Sequence, residues 1–199
     1  MTRRHTKVTC PTRTLTIELG GGTVPEGLDG RSFAGLLRGT TSTHRDQVFA
    51  MHSGDGDFNV YPIRAMRTRQ WKYIRNLQPE FQHHSHITRA AGADGLVYWQ
   101  SWLAAAQSDP AAAAIVKRHV ERPAEELYDL DHDSFEQHNL ASDPAHAARL
   151  AEMRKSLDDW MLTQGDQQTV FGNPLRLGEP VTTMVQPAEK PAQGLRNNK

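Results

Sequence analysis

The sequence holds a single cysteine, Cys10, among 199 residues. One thiol excludes an intramolecular disulfide framework and any metal site built from several cysteines. No apolar run reaches the roughly 20 residues needed to span a bilayer. The opening M-T-R-R-H-T-K-V-T-C is basic but lacks the apolar core of about 7–15 residues that a secretory signal needs. If the parent protein is exported, its signal is expected upstream. Net charge is missing too: 23 Lys and Arg balance 23 Asp and Glu. That excludes whole-molecule steering toward nucleic acid or an anionic membrane surface. No internal repeat is visible.

What remains is enough for a folded core, with 37% hydrophobic and 23% charged residues. The length suits one domain with tails, or one and a half. Residues 1–13 read as an unstructured start, 14–165 as the folded region, and 166–199 as a polar tail rich in Pro, Gly, Gln and Thr. Within the folded region, T-L-T-I-E-L (residues 14–19) suits a short strand or a helical turn, broken by Gly20–Gly22. Residues 29–39 suit a short helix with Phe33, Leu36 and Leu37 on one stripe, Ser32 as cap and Gly39 as stop.

Residues 47–52 (Q-V-F-A-M-H) read as a strand. The stretch Y-P-I-R-A-M-R-T-R-Q-W-K-Y-I-R-N (residues 61–76) reads as a hairpin turning at Arg69-Gln70. Alternation puts Arg64, Met66 and Thr68 on one side of its first strand. Residues 96–107 turn helical, with Trp99, Trp102, Leu103 and Ala106 at i, i+3, i+4, i+7. Asp109-Pro110 restarts a helix with an N-cap and a proline at the first helical position. Residues 126–130 make a further strand. Asp143-Pro144 opens an amphipathic helix striped by Leu150, Met153, Leu157, Trp160 and Met161, which Gly165 ends. Lys155–Asp159 and Arg154–Asp158 are its expected i,i+4 pairs. The sum is an α+β fold: a small antiparallel sheet of three to four strands, an inserted helical segment and a C-terminal amphipathic helix.

Several stretches imitate chemistry. Gly20–Gly22 lacks the strand, helix and Lys-Ser/Thr of a phosphate loop, so a flexible turn is expected. Asp55 to Asn59 imitates the start of a calcium loop, but Val60 and Met66 stand where Gly and a bidentate Glu are needed. His83, His84 and His86 have no partner at a metal-binding spacing, so exposed loop histidines are expected. If that loop lines a pocket, they meet an anion when protonated. Arg64, Arg67, Arg69, Lys72 and Arg75 offer an anion-binding strip, because guanidinium forks suit sulfate and phosphate. Alternation divides these five between two faces and the turn, so most are expected to be solvated or locally paired. Asp158-Asp159 lies late in the amphipathic helix and reads as surface. No metal set and no catalytic constellation is assigned from these residues.

The order of five segments carries more. They are V-P-E-G-L-D-G-R-S-F-x-x-L-L-R-G, H-R-D-Q-V-F, Y-P-I-R-A-M-R-T-R-Q-W-K-Y-I-R-N-L, R-P-A-E-E-L-Y-D-L and N-L-A-S-D-P. Together, over residues 15–166, they resemble the C-terminal region of the sulfatase family, closest to the heparan N-sulfatase (N-sulfoglucosamine sulfohydrolase) branch. The resemblance implies a four-stranded antiparallel sheet with a long terminal helix, packed on a catalytic domain missing upstream. It implies hydrolysis of sulfate esters or sulfamates by a whole enzyme that uses calcium and a formylglycine residue. No cofactor is assigned to this chain: Cys10-Pro11-Thr12-Arg13 departs from the family's C-x-P-S-R pattern, and no Asp-Asn pair is present. The chain alone is therefore expected to be inactive.

His52 and Arg64 match positions near the substrate pocket and are the substrate-contact candidates. Relatives of this kind are often exported. A sheet face with no partner is expected to leave Ile63, Trp71, Tyr73 and Trp160 partly exposed, and the isolated chain oligomeric or poorly soluble. The alternative is a stand-alone module binding sulfated or other anionic glycans through the Arg-rich hairpin.

Overall fold

The computed structural model describes residues 11–26, 28, 30–54, 59–91, 96–181 and 184–185. The chain divides into two compact units whose segments alternate along the sequence. The first comprises residues 1–51, 64–75 and 125–168, and the second residues 52–63, 76–124 and 169–199. No described helix is long and apolar enough to cross a membrane.

The first unit begins with α1 (Pro11–Leu19) and α2 (Ala34–Leu37). Residues 14–19 are thus helical, and Gly20 and Gly22 close that helix by bonding back to Thr16 and Ile17. The triple glycine is a helix stop, with no helix start behind it to cradle a phosphate. The N-cap of α2 is Phe33 rather than the expected Ser32, which sits one residue earlier and accepts from the Ala34 N–H through Oγ at 3.2 Å.

The sheet runs in the order β1 (Gln47–His52), β2 (Ile63–Thr68), β3 (Trp71–Asn76), β5 (Glu125–Asp129), and is antiparallel. β3 and β5 pair so that Trp71 opposes Asp129, Tyr73 opposes Leu127 and Arg75 opposes Glu125. The α+β architecture is therefore as the periodicity implies, with β5 after the inserted helices.

Helix α6 (Ala147–Gln164) covers one face of this sheet. Leu150, Met153, Leu157 and Met161 project from it onto Met66, Tyr73 and Leu127, and Phe49 stacks on Trp160 at 5.1 Å. Tyr73 is fully buried there, and Trp71 and Trp160 are half-buried. The expectation that these rings lie open fails for Tyr73. Alternation puts Tyr73 on the side of Met66, and the register puts it opposite Leu127, under the chain's own helix.

The cap of α6 is built as its sequence suggests. Asp143 Oδ1 accepts from the Ala145 N–H at 2.9 Å, and Pro144 follows in a single 3-10 turn before the α-helix. Asp143→Ala should cost about 1 kcal/mol in urea denaturation, the ordinary worth of a cap. No change would show that the turn is held by packing alone. At the other end Gly165 adopts a left-handed conformation, φ 66°. Its N–H bonds to Leu162 O, and that of Asp166 to Met161 O. This is the Schellman pattern, in which glycine avoids the Cβ clash.

The second unit holds α3 (His86–Arg89), β4 (Ala90–Ala91), α4 (Leu96–Ala106), α5 (Pro110–Val120) and β6 (Met184–Val185), with β4 and β6 parallel. Asp109 caps α5 through the Ala111 N–H at 2.8 Å. Trp99 is buried, whereas Trp102 and Leu103 of the same expected stripe stay exposed. Within the stretch read as a polar tail, Leu175 O accepts from the Gln82 N–H and the Leu177 N–H donates to Glu80 O.

Candidate functional site

The two sequence candidates fall in different units, and each is described with its own neighbours. His52 closes β1 and is half-buried. Asn59 Nδ2 lies 3.1 Å from His52 Nε2. With the amide donating, Nε2 is the acceptor and the ring proton sits on Nδ1. Asn59 itself is buried, and its Oδ1 has no hydrogen-bond partner among the described residues. Residues 55–58, which include most of the calcium-loop imitation, lie outside the described residues.

Arg64 sits in the middle of the first unit and is 1% exposed. Its Nε and Nη2 donate to the two oxygens of Asp166, the second bond at 2.9 Å. The Asp166 side chain is 6% exposed and also accepts from the Gln168 N–H. The Arg64 guanidinium and that N–H hold the carboxyl below its ordinary range, against the upward push of burial. The Schellman turn after α6 delivers Asp166 to this position. Sequence reasoning missed Asp166, although a left-handed glycine closing an amphipathic helix was the signal that fixes the next residue's direction.

The other hairpin cations separate. Lys72 Nζ meets Glu136 at 2.6 Å, and Arg75 pairs with Asp158. Arg67 and Arg69 are exposed and carry no ion pair among the described residues. Arg75 also donates to the Tyr73 hydroxyl at 3.1 Å. Tyr73 in turn donates to Glu125 Oε1, and Arg154 grips both Glu125 oxygens. Asp158, Arg75, Tyr73, Glu125 and Arg154 thus form one polar chain across β3, β5 and α6. Burial, reinforced by donation to Glu125, pushes the Tyr73 phenol up to about 12. The Arg154 guanidinium holds Glu125 below the usual carboxylate range. The expected Arg154–Asp158 pair is replaced, because β3 and β5 offer each a better partner; Lys155–Asp159 forms at 2.6 Å.

In the second unit the histidines are not a solvated loop. His84 is 2% exposed, with Nδ1 3.0 Å from Thr88 Oγ1 and Nε2 2.9 Å from Gln82 Oε1. His83 Nδ1 donates to His119 O at 3.0 Å. Burial drives both imidazoles down to about 4, helped by Arg122 near His83 and Arg89 near His84. Only His86 is exposed, as expected of all three. The short α3 brings Thr88 back onto His84, a contact that no periodicity announces.

Among the described residues, no group of three or more His, Cys, Asp or Glu side chains could hold a metal ion. Cys10 lies outside the described residues. The described residues thus offer no ligand set for calcium and no cysteine for formylglycine.

No protein-family model matches the chain. It is 32% identical over 163 residues to an ulvan-active sulfatase of Formosa agariphila, covering 80% of this chain and 30% of that protein. A second ulvan-active sulfatase of the same organism is 29% identical over 150 residues, covering 71% of this chain and 23% of that protein. Among solved structures, a 2-O GAG sulfatase matches with a TM-score of 0.53 at 24% identity, over 80% of this chain and 26% of that one. That likeness is one of fold. The chain thus spans less than a third of the length of the sulfatases it matches, and the match is to their C-terminal portion. By sequence the chain is similar to a C-terminal portion of sulfatases.

Proposed function

We propose that the chain is the C-terminal part of a sulfatase that hydrolyses sulfate groups on a sulfated polysaccharide, and that it is inactive without the catalytic part. The observation carrying this reading is the 163-residue match to an ulvan-active sulfatase. The heparan N-sulfatase branch that the motifs resemble is its narrower form, with a sulfamate as the group cleaved. In either form the whole enzyme, not this chain, supplies calcium and the formylglycine nucleophile.

His52 and Arg64 remain the substrate-contact candidates, each within its own unit. His52 pairs with Asn59 at Nε2, and in the whole enzyme its imidazole serves as a contact to a sugar hydroxyl or sulfate oxygen. Arg64 is committed to Asp166, so a sulfate that reaches it has to displace that carboxylate. Exchange of one anion for another on a guanidinium fork conserves its hydrogen bonds.

The test is a hybrid in which this chain replaces the matching portion of the Formosa agariphila enzyme. Sulfate release from ulvan is expected from the hybrid and not from the chain alone. His52→Ala in the hybrid should lower kcat/KM at least tenfold without moving the melting temperature. Sulfate release by the isolated chain would overturn the inactivity. A folded but inert hybrid would overturn the assignment to this enzyme class. The stand-alone glycan module has less support from the hairpin, where only Arg67 and Arg69 are both exposed and without an ion pair among the described residues.

A further inference from the structure

Helix α4 carries an exposed surface that the proposed function does not use. Its sequence, L-V-Y-W-Q-S-W-L-A-A-A, contains no charged residue. Trp99 turns inward and is buried. Tyr98, Ser101, Trp102 and Ala105 follow at i, i+3, i+4, i+7 and are all exposed. Tyr98 is 69% and Trp102 48% exposed. Positions four residues apart on a helix are offset by about 6 Å along its axis, close to the length of one pyranose unit. The small residues Ser101 and Ala105 leave room beside them. The Ser101 hydroxyl is turned back to Tyr98 O at 2.7 Å.

Trp102 is supported from behind. It meets Trp99 with ring centroids 6.0 Å apart, Trp99 meets His119 at 5.2 Å, His119 meets His83 at 5.0 Å, and His83 meets Tyr61 at 5.2 Å. This ladder of rings holds an exposed indole in place, so little side-chain freedom is lost when a ligand covers it. The same Trp99–His119 contact lays the last turn of α5 alongside α4. That turn carries Lys117 and Arg118, both exposed, and neither helix contains an acidic residue. Among the described residues, Lys117 makes a long pair with Glu121, at 3.8 Å.

We propose that this face of α4, with the basic last turn of α5, is a secondary binding site for a sulfated polysaccharide chain, sugar rings stacking on Tyr98 and Trp102 and sulfates meeting Lys117 and Arg118. The inference rests on the reading that the parent enzyme works on such a polymer. Aromatic faces supply contact area to the apolar side of a sugar ring. Cations beside an uncharged helix match a polymer that is apolar on ring faces and anionic at its substituents. A protein partner would favour the exposed Val97 and Leu103 equally, but has no need of the flanking cations. A secondary site on a repeating polymer raises the local concentration of cleavable groups without touching the chemistry.

The test is affinity electrophoresis of the full chain through gels containing ulvan or unsulfated dextran. Retardation is expected in ulvan and not in dextran. The double variant Tyr98→Ala/Trp102→Ala should weaken ulvan binding at least tenfold with an unchanged melting temperature. Lys117→Ala/Arg118→Ala should weaken it and flatten its salt dependence. Retardation that survives the aromatic variant but disappears in Arg67→Ala/Arg69→Ala would move the site to the hairpin and overturn the proposal. So would an aromatic variant that changes only the oligomeric mass by light scattering, since the face would then dock a second copy. A hybrid enzyme that cleaves ulvan beside a chain that never binds it would remove this site and leave the proposed function standing.

Discussion

Arg64→Met should destabilise the chain by about 3–5 kcal/mol in urea denaturation at pH 7, the usual cost of removing one partner of a buried ion pair. The loss comes less from the pair itself than from what it leaves. Asp166 stays 6% exposed beside Gln168, with two of its hydrogen bonds gone. Arg64→Met/Asp166→Leu should recover most of the stability, since an apolar replacement of both partners is often neutral. The pH dependence gives a second check. In the native chain Asp166 is held below its ordinary range, chiefly by Arg64. Its contribution is therefore complete above the unfolded carboxylate value of about 4 and is lost as pH falls through the lower folded value. In Arg64→Met the sign reverses. Burial alone raises the carboxyl, and the variant should regain ground on the native chain as pH falls from 7 toward 4. A denaturation midpoint unmoved by the substitution would show that water reaches the pair in solution.

This pair also marks where sequence reading stops. The strands, the β2–β3 hairpin and α6 follow from period-2 and period-3.6 patterns that each element carries within itself. Asp143 and Gly165 mark the helix limits because caps are local chemistry. Arg64 could be placed on a strand face from alternation, but its partner lies 102 residues away. Nothing in either segment names the other. The same holds for Arg154: i,i+4 spacing offers Asp158, while the fold offers Glu125 from β5, already bonded to Tyr73. A bidentate grip on a carboxylate that is also held by a phenol outweighs an exposed helical pair worth a few tenths of a kcal/mol. Tyr73 itself was misread for a tertiary reason. A sheet face with no visible partner in the sequence looked open, but α6 closes over it. Trp102 was misread in the other direction. Its spacing with Trp99 suggests one buried stripe, yet a helix lying on few neighbours buries only the residue that points directly inward.

The histidines of the second unit were hidden for the same reason, and they carry the largest pH effect expected of the chain. His83 and His84 are each held down to about 4, mainly by burial, against about 6.5 for an unfolded imidazole. Between those values the unfolded chain binds a proton that the folded one refuses. Stability is therefore intact above about pH 6.5 and falls as pH drops toward 4, by about 1.4 kcal/mol per pH unit for each imidazole. The buried His84 should contribute about 3 kcal/mol over the window, and the half-buried His83 about 2 once solvent screening is allowed for. The charged or titratable groups acting on them are Arg122, His119 and His84 for His83, and Arg89 and His119 for His84. None of these offsets a new positive charge, so protonating either ring adds repulsion to desolvation. The carboxylates of the first unit behave differently: Glu125 and Asp166 are both held below their ordinary range by arginines and give way only under stronger acid. Hydrogen exchange, corrected for the intrinsic rate, should therefore show α5 losing protection between pH 6 and 4.5 while α6 keeps it. His84→Gln retains a polar side chain for Thr88 and Gln82 without the titration, and should move the onset for α5 to lower pH. Loss of protection in both helices at the same pH, unaffected by His84→Gln, would mean that acid acts on the chain through its carboxylates and that the imidazoles are reached by water.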